Sequence, residues 1–162
     1  MSHPAIPLAE FDQEMATTRR LLERVPEDKG PWKPHEKSFP LGHLAQLISG
    51  MPGWITQTLR RTELRLGDFP GYAFQPTAAL LKAFDDNVAS ARDALESVTG
   101  PELAVTWSMK AGDHVVFSGP RDEIVRNHLS HLVHHRGQLS VYLRLVDVPL
   151  PSIYGPTADE KW

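Results

Sequence analysis

Apolar residues recur along this chain with helical spacing. Leu8, Phe11, Met15, Thr18, Leu22 and Val25 alternate by three and four residues, which predicts a helix packed along one seam. Pro26 and then Gly30-Pro31 end it, and a loop rich in proline and charge covers 27–37. Ser38 is the expected N-cap of a second helix, with Pro40 in its first turn. Leu44, Leu47, Ile48, Met51, Ile55 and Leu59 supply its apolar face, and Pro52-Gly53 should kink or break it. Residues 67–76 read as a loop with a turn at Pro70-Gly71. A third helix starts near Thr77, carries Leu81, Phe84, Val88, Ala91, Leu95 and Val98 inward, and stops at Gly100-Pro101.

The stretch 103–117 fits two descriptions. Val105, Trp107 and Met109 alternate, as do Val115 and Phe117, around Ala111-Gly112-Asp113. That pattern suits a short hairpin or an irregular crossover equally well. The last helix is expected from about Arg121 to Val146. Its apolar row is Val125, Leu129, Leu132, Leu139, Leu143 and Val146. A second seam beside it, Ile124, His128, His131, His135, Gln138, Tyr142 and Leu145, turns polar in mid-helix. The proline-rich tail from Asp147, with Tyr154 and Trp162, reads as an ordered coil laid on the helices. Four amphipathic helices with a long crossover before the last predict an all-α four-helix bundle, one domain over 1–162.

Composition narrows the function classes. Seventeen lysines and arginines against 20 aspartates and glutamates give a formal charge of -3. No basic face for nucleic acid and no polybasic membrane anchor is expected from that balance. The chain has no cysteine, so a disulfide framework, a thiolate metal site and a cysteine nucleophile are excluded. The first ten residues lack the pattern of a signal peptide, and no apolar run approaches the ~20 residues that span a bilayer. The expectation is a soluble, cytoplasmic protein with a small-molecule substrate.

The candidate chemistry lies in the polar seam. Four of the eight histidines fall within 128–135. Residues four apart share a helix face, so His131 and His135 can aim both imidazoles at one point. Burying imidazoles without partners costs free energy, and a metal ion offsets that cost by taking their lone pairs. His43 is the best third ligand, because it stands on or beside the inward stripe of the second helix. Three histidines leave coordination positions open, as in catalytic sites. Neutral imidazoles suit zinc, nickel, iron or copper. His128 reads as a neighbour of the ligands or as an alternative to His131. His134 reads as exposed or bonded to a neighbouring helix, His3 and His35 as surface residues, and His114 as a crossover residue. The competing reading is a bundle whose histidines are satisfied by hydrogen bonds alone. Trp54 and Trp107 read as core, and Arg60, Arg61 and Arg65 as a solvated face. Glu14, Asp85 and Asp86 read as helix-surface charges. Gly137 reads either as a point of close helix packing or as room beside a metal.

The segment His131-Leu-Val-His-His-Arg-Gly-Gln138, then Tyr142-Leu-Arg144 and Pro149-Leu-Pro-Ser-Ile-Tyr-Gly-Pro156, resembles the DinB/YfiT-like proteins. Leu41-Gly-His43-Leu-Ala and Trp32-Lys-Pro34 are similar to that family's second-helix start and the loop before it. The family more often has a further histidine where this chain has Asn127. The resemblance implies a four-helix bundle, often a homodimer, with a divalent metal on His43, His131 and His135. It also implies a low-molecular-weight-thiol S-transferase or hydrolase, or a non-catalytic metal-binding or stress-response protein. Without a cysteine in the chain, a reacting thiol would have to come from a cofactor.

Overall fold

Prolines set the starts of the four long helices. The computed structural model describes residues 6–69 and 71–161, so His3, Pro70 and Trp162 lie outside the described residues. Helices α1 (Leu8–Leu22), α2 (Leu41–Arg60), α3 (Thr77–Ser97) and α5 (Arg121–Leu145) follow directly on Pro7, Pro40, Pro76 and Pro120. A proline disfavours helical conformation in the residue before it, so none of these helices can extend backwards. Pro40 itself therefore stands at the N-cap, and Ser38 does not. Ser38 instead donates its N–H to the His35 carbonyl in a turn, while the Leu41 N–H is satisfied by Trp32 O at 2.7 Å.

The long helices pack in a ring, α1 against α3 and α5, and α2 against α3 and α5. Phe11, Met15, Ile48, Ile55, Phe84, Leu132 and Leu139 are among the side chains that fill the space between them. Helix α2 runs through Pro52 without a break. A Cβ at Gly53 would sit 2.7 Å from Asn87 Oδ1. The glycine thus lets α3 approach, and Asn87 Nδ2 donates to Ser49 O at 3.1 Å beside the proline. Among the described residues no helix is long and apolar enough to cross a membrane.

The fold is mostly helical, and the expected all-α bundle is corrected by a sheet. Gly100–Leu103 forms a short helix, α4, capped by reciprocal Thr99 and Glu102 bonds, where a simple stop was expected. Strands β2 (Thr106–Ala111) and β3 (His114–Pro120) make the antiparallel hairpin that the alternation allowed. Its turn holds Gly112 at a φ of 59°, where a side chain would strain the backbone. Strand β1 (Glu63–Arg65) adds to β2 in parallel, pairing Leu64 with Met109. Three residues are too few to show a period, which is why the sequence does not reveal this strand. The sheet buries Trp107 with Leu64 and Ile124 in a small second core at the start of α5.

Arg136 is buried on the opposite side of α5, at 1% exposure. Its Nη1 pairs with Glu14 Oε2 of α1 at 2.6 Å and donates to Thr18 Oγ1 at 3.2 Å. Its Nη2 donates to the Tyr154 hydroxyl, which in turn donates to Glu14 Oε2 at 2.9 Å. Glu14 is thus an interior partner rather than a surface charge. Asp85 and Asp86 do remain at the surface, paired with Arg19 and Lys82. The next residue, Gly137, is exposed, and a Cβ there would meet nothing within 4 Å. Close helix packing is therefore not its role.

Substitutions at Glu14 and at Gly137 should then change stability with opposite signs. Glu14→Ala leaves the Arg136 charge buried without its counter-ion and should cost about 3–5 kcal/mol in urea denaturation. Gly137→Ala should raise stability by up to about 1 kcal/mol, since helix propensity is the only term that changes. A Glu14→Ala loss within measurement error would show that Arg136 finds water or another partner.

Candidate functional site

Two helices and one loop build the site. Helix α5 contributes His128, His131, His134 and His135 along two turns. Helix α2 contributes His43, Gln46, Leu47, Gly50 and Trp54, which line a cleft of about 170 Å³. Phe69 and Tyr72, from the loop after β1, close it.

His131 and His135 do converge. Their Nε2 atoms stand 2.9 Å apart, with ring centroids at 4.6 Å. His135 Nδ1 lies 2.8 Å from Gln138 Oε1. An amide oxygen only accepts, so Nδ1 carries the proton and Nε2 keeps its lone pair. The two Nε2 atoms then either share the His131 proton or face a cation. Two imidazoles on a tetrahedral zinc-sized ion have nitrogens roughly 3.3–3.4 Å apart, so the pair would open by a few tenths of an ångström to share one. His131 reaches the surface, yet partial burial, followed by the neighbouring His135 and His134, lowers its pKa.

His43 is held differently. Its ring stacks on Tyr72 at 4.9 Å and 18° and lies 4.4 Å from Phe39. Burial lowers its pKa, which favours the neutral ring. Trp54 connects the two regions, lining the cleft with His43 while its ring stands 5.8 Å from that of His131. Among the described residues, no three His, Cys, Asp or Glu side chains are gathered closely enough to hold a metal as they stand. His131 and His135 stand together on α5, and His43 lies on the cleft wall.

His128 belongs to the interior. It is 9% exposed, and its Nε2 shares a hydrogen bond of 3.0 Å with the buried Thr58 hydroxyl. The rings of Trp54 and Trp107 meet it near edge-on at 5.7 and 6.1 Å. Trp107 is core, as its pattern predicts, whereas Trp54 is half-buried and walls the cleft. His134 is exposed beside His135, His35 is exposed, and His114 is exposed at the hairpin tip. Arg60, Arg61 and Arg65 form an exposed group. The sequence reading missed Tyr72, Phe69 and Gln46. For Phe69 and Tyr72 the only signal is the aromatic content of an otherwise loop-like stretch, and Gln46 on α2 has none.

Burial, with the charge of His131 second, pushes the His128 pKa down to about 4. The unfolded chain has a histidine pKa near 6.5 and so binds the proton first as pH falls. Stability from this site is complete above about 6.5 and is lost between there and about 4. The slope should reach about 1.4 kcal/mol per pH unit. His128→Gln, which cannot titrate, should flatten the profile of unfolding free energy over that window. Superimposable slopes for the two proteins would show that His128 is not the group involved.

A family model described as the DinB family matches residues 1–161. The chain is 27% identical over 164 residues to the uncharacterized protein YrdA of Bacillus subtilis, covering 96% of this chain and 89% of that one. Its fold is similar to the crystal structure of a DinB-like protein, YjoA, from B. subtilis, with a TM-score of 0.69 at 18% identity, over 90% of this chain and 95% of that one. A DinB-like protein from Bacillus cereus ATCC 10987 is similar to the same degree, with a TM-score of 0.69 at 18% identity, over 91% and 95% of the two chains. With a match over nearly its whole length, a mostly helical fold shared with DinB-like structures and a histidine-rich last helix, this chain belongs to the DinB family.

Proposed function

We propose that this protein is a divalent-metal-dependent enzyme that acts on a small-molecule substrate, as a low-molecular-weight-thiol S-transferase or a hydrolase. The observation that supports this most is the 2.9 Å approach of His131 and His135 Nε2, with the His135 tautomer set by Gln138. His131 and His135 would hold the ion from α5, and His43 would complete the set after turning away from Tyr72. Zinc and nickel are the leading candidates, with iron and copper also compatible with imidazole donors. A bound divalent ion supplies Lewis acidity that lowers the pKa of a thiol or water. Gln138 fixes the ring of His135, as partners of ligand histidines commonly do. Trp54, Phe69 and Tyr72 give the cleft side an aromatic wall. The chain has no thiol of its own, so a thiol nucleophile would come from a cofactor. The proposal includes a homodimer, for which the exposed Val141 and Leu145 on α5 are candidate contacts.

A second reading has its own support. The same 2.9 Å contact satisfies both imidazoles by a hydrogen bond between them, as expected of a non-catalytic bundle. Metal analysis by inductively coupled plasma mass spectrometry, on protein purified without a polyhistidine tag, separates the two. Near-stoichiometric metal in the wild type and its loss in a His131→Ala/His135→Ala variant are expected. The melting temperature should also fall on chelation, because an ion that binds only the native state stabilises it. Wild-type protein that takes up no metal even after reloading with zinc and nickel would overturn the proposal.

A further inference from the structure

The cleft beside the histidine pair has a defined chemistry of its own. None of its lining side chains is a carboxylate, an ammonium or a guanidinium. Without a bound ion, a charged guest would find no fixed counter-charge among these side chains and would lose its hydration. The walls are flat. Trp54 and Phe69 meet at 70° with centroids 5.5 Å apart, and Tyr72 stacks on His43. The volume of about 170 Å³ is slightly larger than the roughly 150 Å³ known to suffice for benzene. The polar groups of the lining residues are the Gln46 amide, the Tyr72 hydroxyl and the ring nitrogens of His43 and Trp54. Gln46 Oε1 accepts the Ala73 N–H at 3.2 Å, which orients the amide and leaves its NH2 free to donate to a guest.

Gly50 provides a second, independent indication. A glycine inside a helix costs about 1 kcal/mol relative to alanine. At Gly42 and Gly53 close neighbours explain the missing side chain, since a Cβ would come within 2.9 Å of Tyr72 Oη and 2.7 Å of Asn87 Oδ1. At Gly50 a Cβ would meet nothing within 4 Å, and no positive φ requires glycine. Any larger residue there would grow into the cleft it lines.

We propose that this cleft binds a neutral, single-ring aromatic molecule carrying a hydrogen-bond acceptor, such as an aryl ketone, with its ring among Trp54, Phe69 and Tyr72 and its acceptor on the Gln46 amide. Identifying this guest as the substrate rests on the metal-dependent enzyme proposed above; the binding does not. The position fits that role, because Trp54 is shared between the cleft wall and the histidine pair.

Acetophenone and the anionic benzoate serve as probes, titrated into the full chain and followed by the Trp54 indole N–H resonance, which is identified by its loss in Trp54→Phe. Saturable binding of acetophenone is expected, with benzoate weaker by about tenfold or more, a difference of about 1.4 kcal/mol. Gly50→Leu should weaken acetophenone binding by about tenfold without lowering the melting temperature, and Gly50→Ala should do so to a smaller extent. The His131→Ala/His135→Ala variant should bind acetophenone as the wild type does. No saturable shift in the wild type, equal binding of benzoate, unchanged binding in both Gly50 variants, or loss of binding in a folded histidine double variant would each overturn the assignment. Acetophenone binding to protein that takes up no metal would leave the cleft standing and remove only the enzyme reading. Metal uptake without acetophenone binding would do the reverse.

Discussion

The ion pair between Arg136 and Glu14 determines how α5 is turned about its own axis. An apolar row alone tolerates rotations of tens of degrees, because hydrophobic burial has no direction. A buried guanidinium does not, since losing its partner costs several kcal/mol. Arg136 is held by α1 and by Tyr154 of the tail. On a helix the preceding residue points about 100° away. His131, His135 and Gln138 share a face by their spacing on α5, and the angle set by Arg136 turns that face so that His131 meets Trp54 of α2. The His-His-Arg-Gly-Gln run is therefore one structural device: the arginine sets the angle and the histidines and glutamine use it.

A second constraint acts about two turns earlier. His128 is bonded to Thr58 of α2 and framed by Trp54 and Trp107. Trp107 reaches that position because the hairpin, extended by β1, lies over the start of α5. The sheet thus supports the histidine seam at its N-terminal end, as Arg136 does towards its C-terminal end. Between these two supports α5 presents a pair of imidazoles whose nitrogens are already close. His43 remains on α2, stacked with Tyr72. The arrangement sets a hydrogen-bonded pair on α5 and a stacked ring on α2, with Trp54 common to both regions.

Neutrality is the common electrostatic theme. His43, His128 and His131 all have lowered pKa values, and burial is the first cause in each. Neutral imidazoles keep lone pairs available, and an uncharged aromatic cleft lies alongside them. Many of the charged groups pair at the surface, as Arg19 does with Asp85 and Arg92 with Asp12.

By itself the sequence determined the four long helices, their near boundaries, the inward rows and the face shared by His131 and His135. All of these depend on spacing within one segment, where helix geometry turns sequence distance directly into position. The tertiary structure alone decided the rest. Glu14 and Arg136 are 122 residues apart, and a pattern of exposed-looking charges on α1 contains no trace of its distant partner. Strand β1 exists only because β2 arrives beside it. Tyr72, Phe69 and Gln46 become walls of a cleft, and Trp54 becomes more than core, only when the loop folds across α2. How closely His43 approaches the α5 pair is likewise a matter of packing between helices. Sequence spacing fixes directions within an element, whereas distances between elements follow from how their surfaces pack.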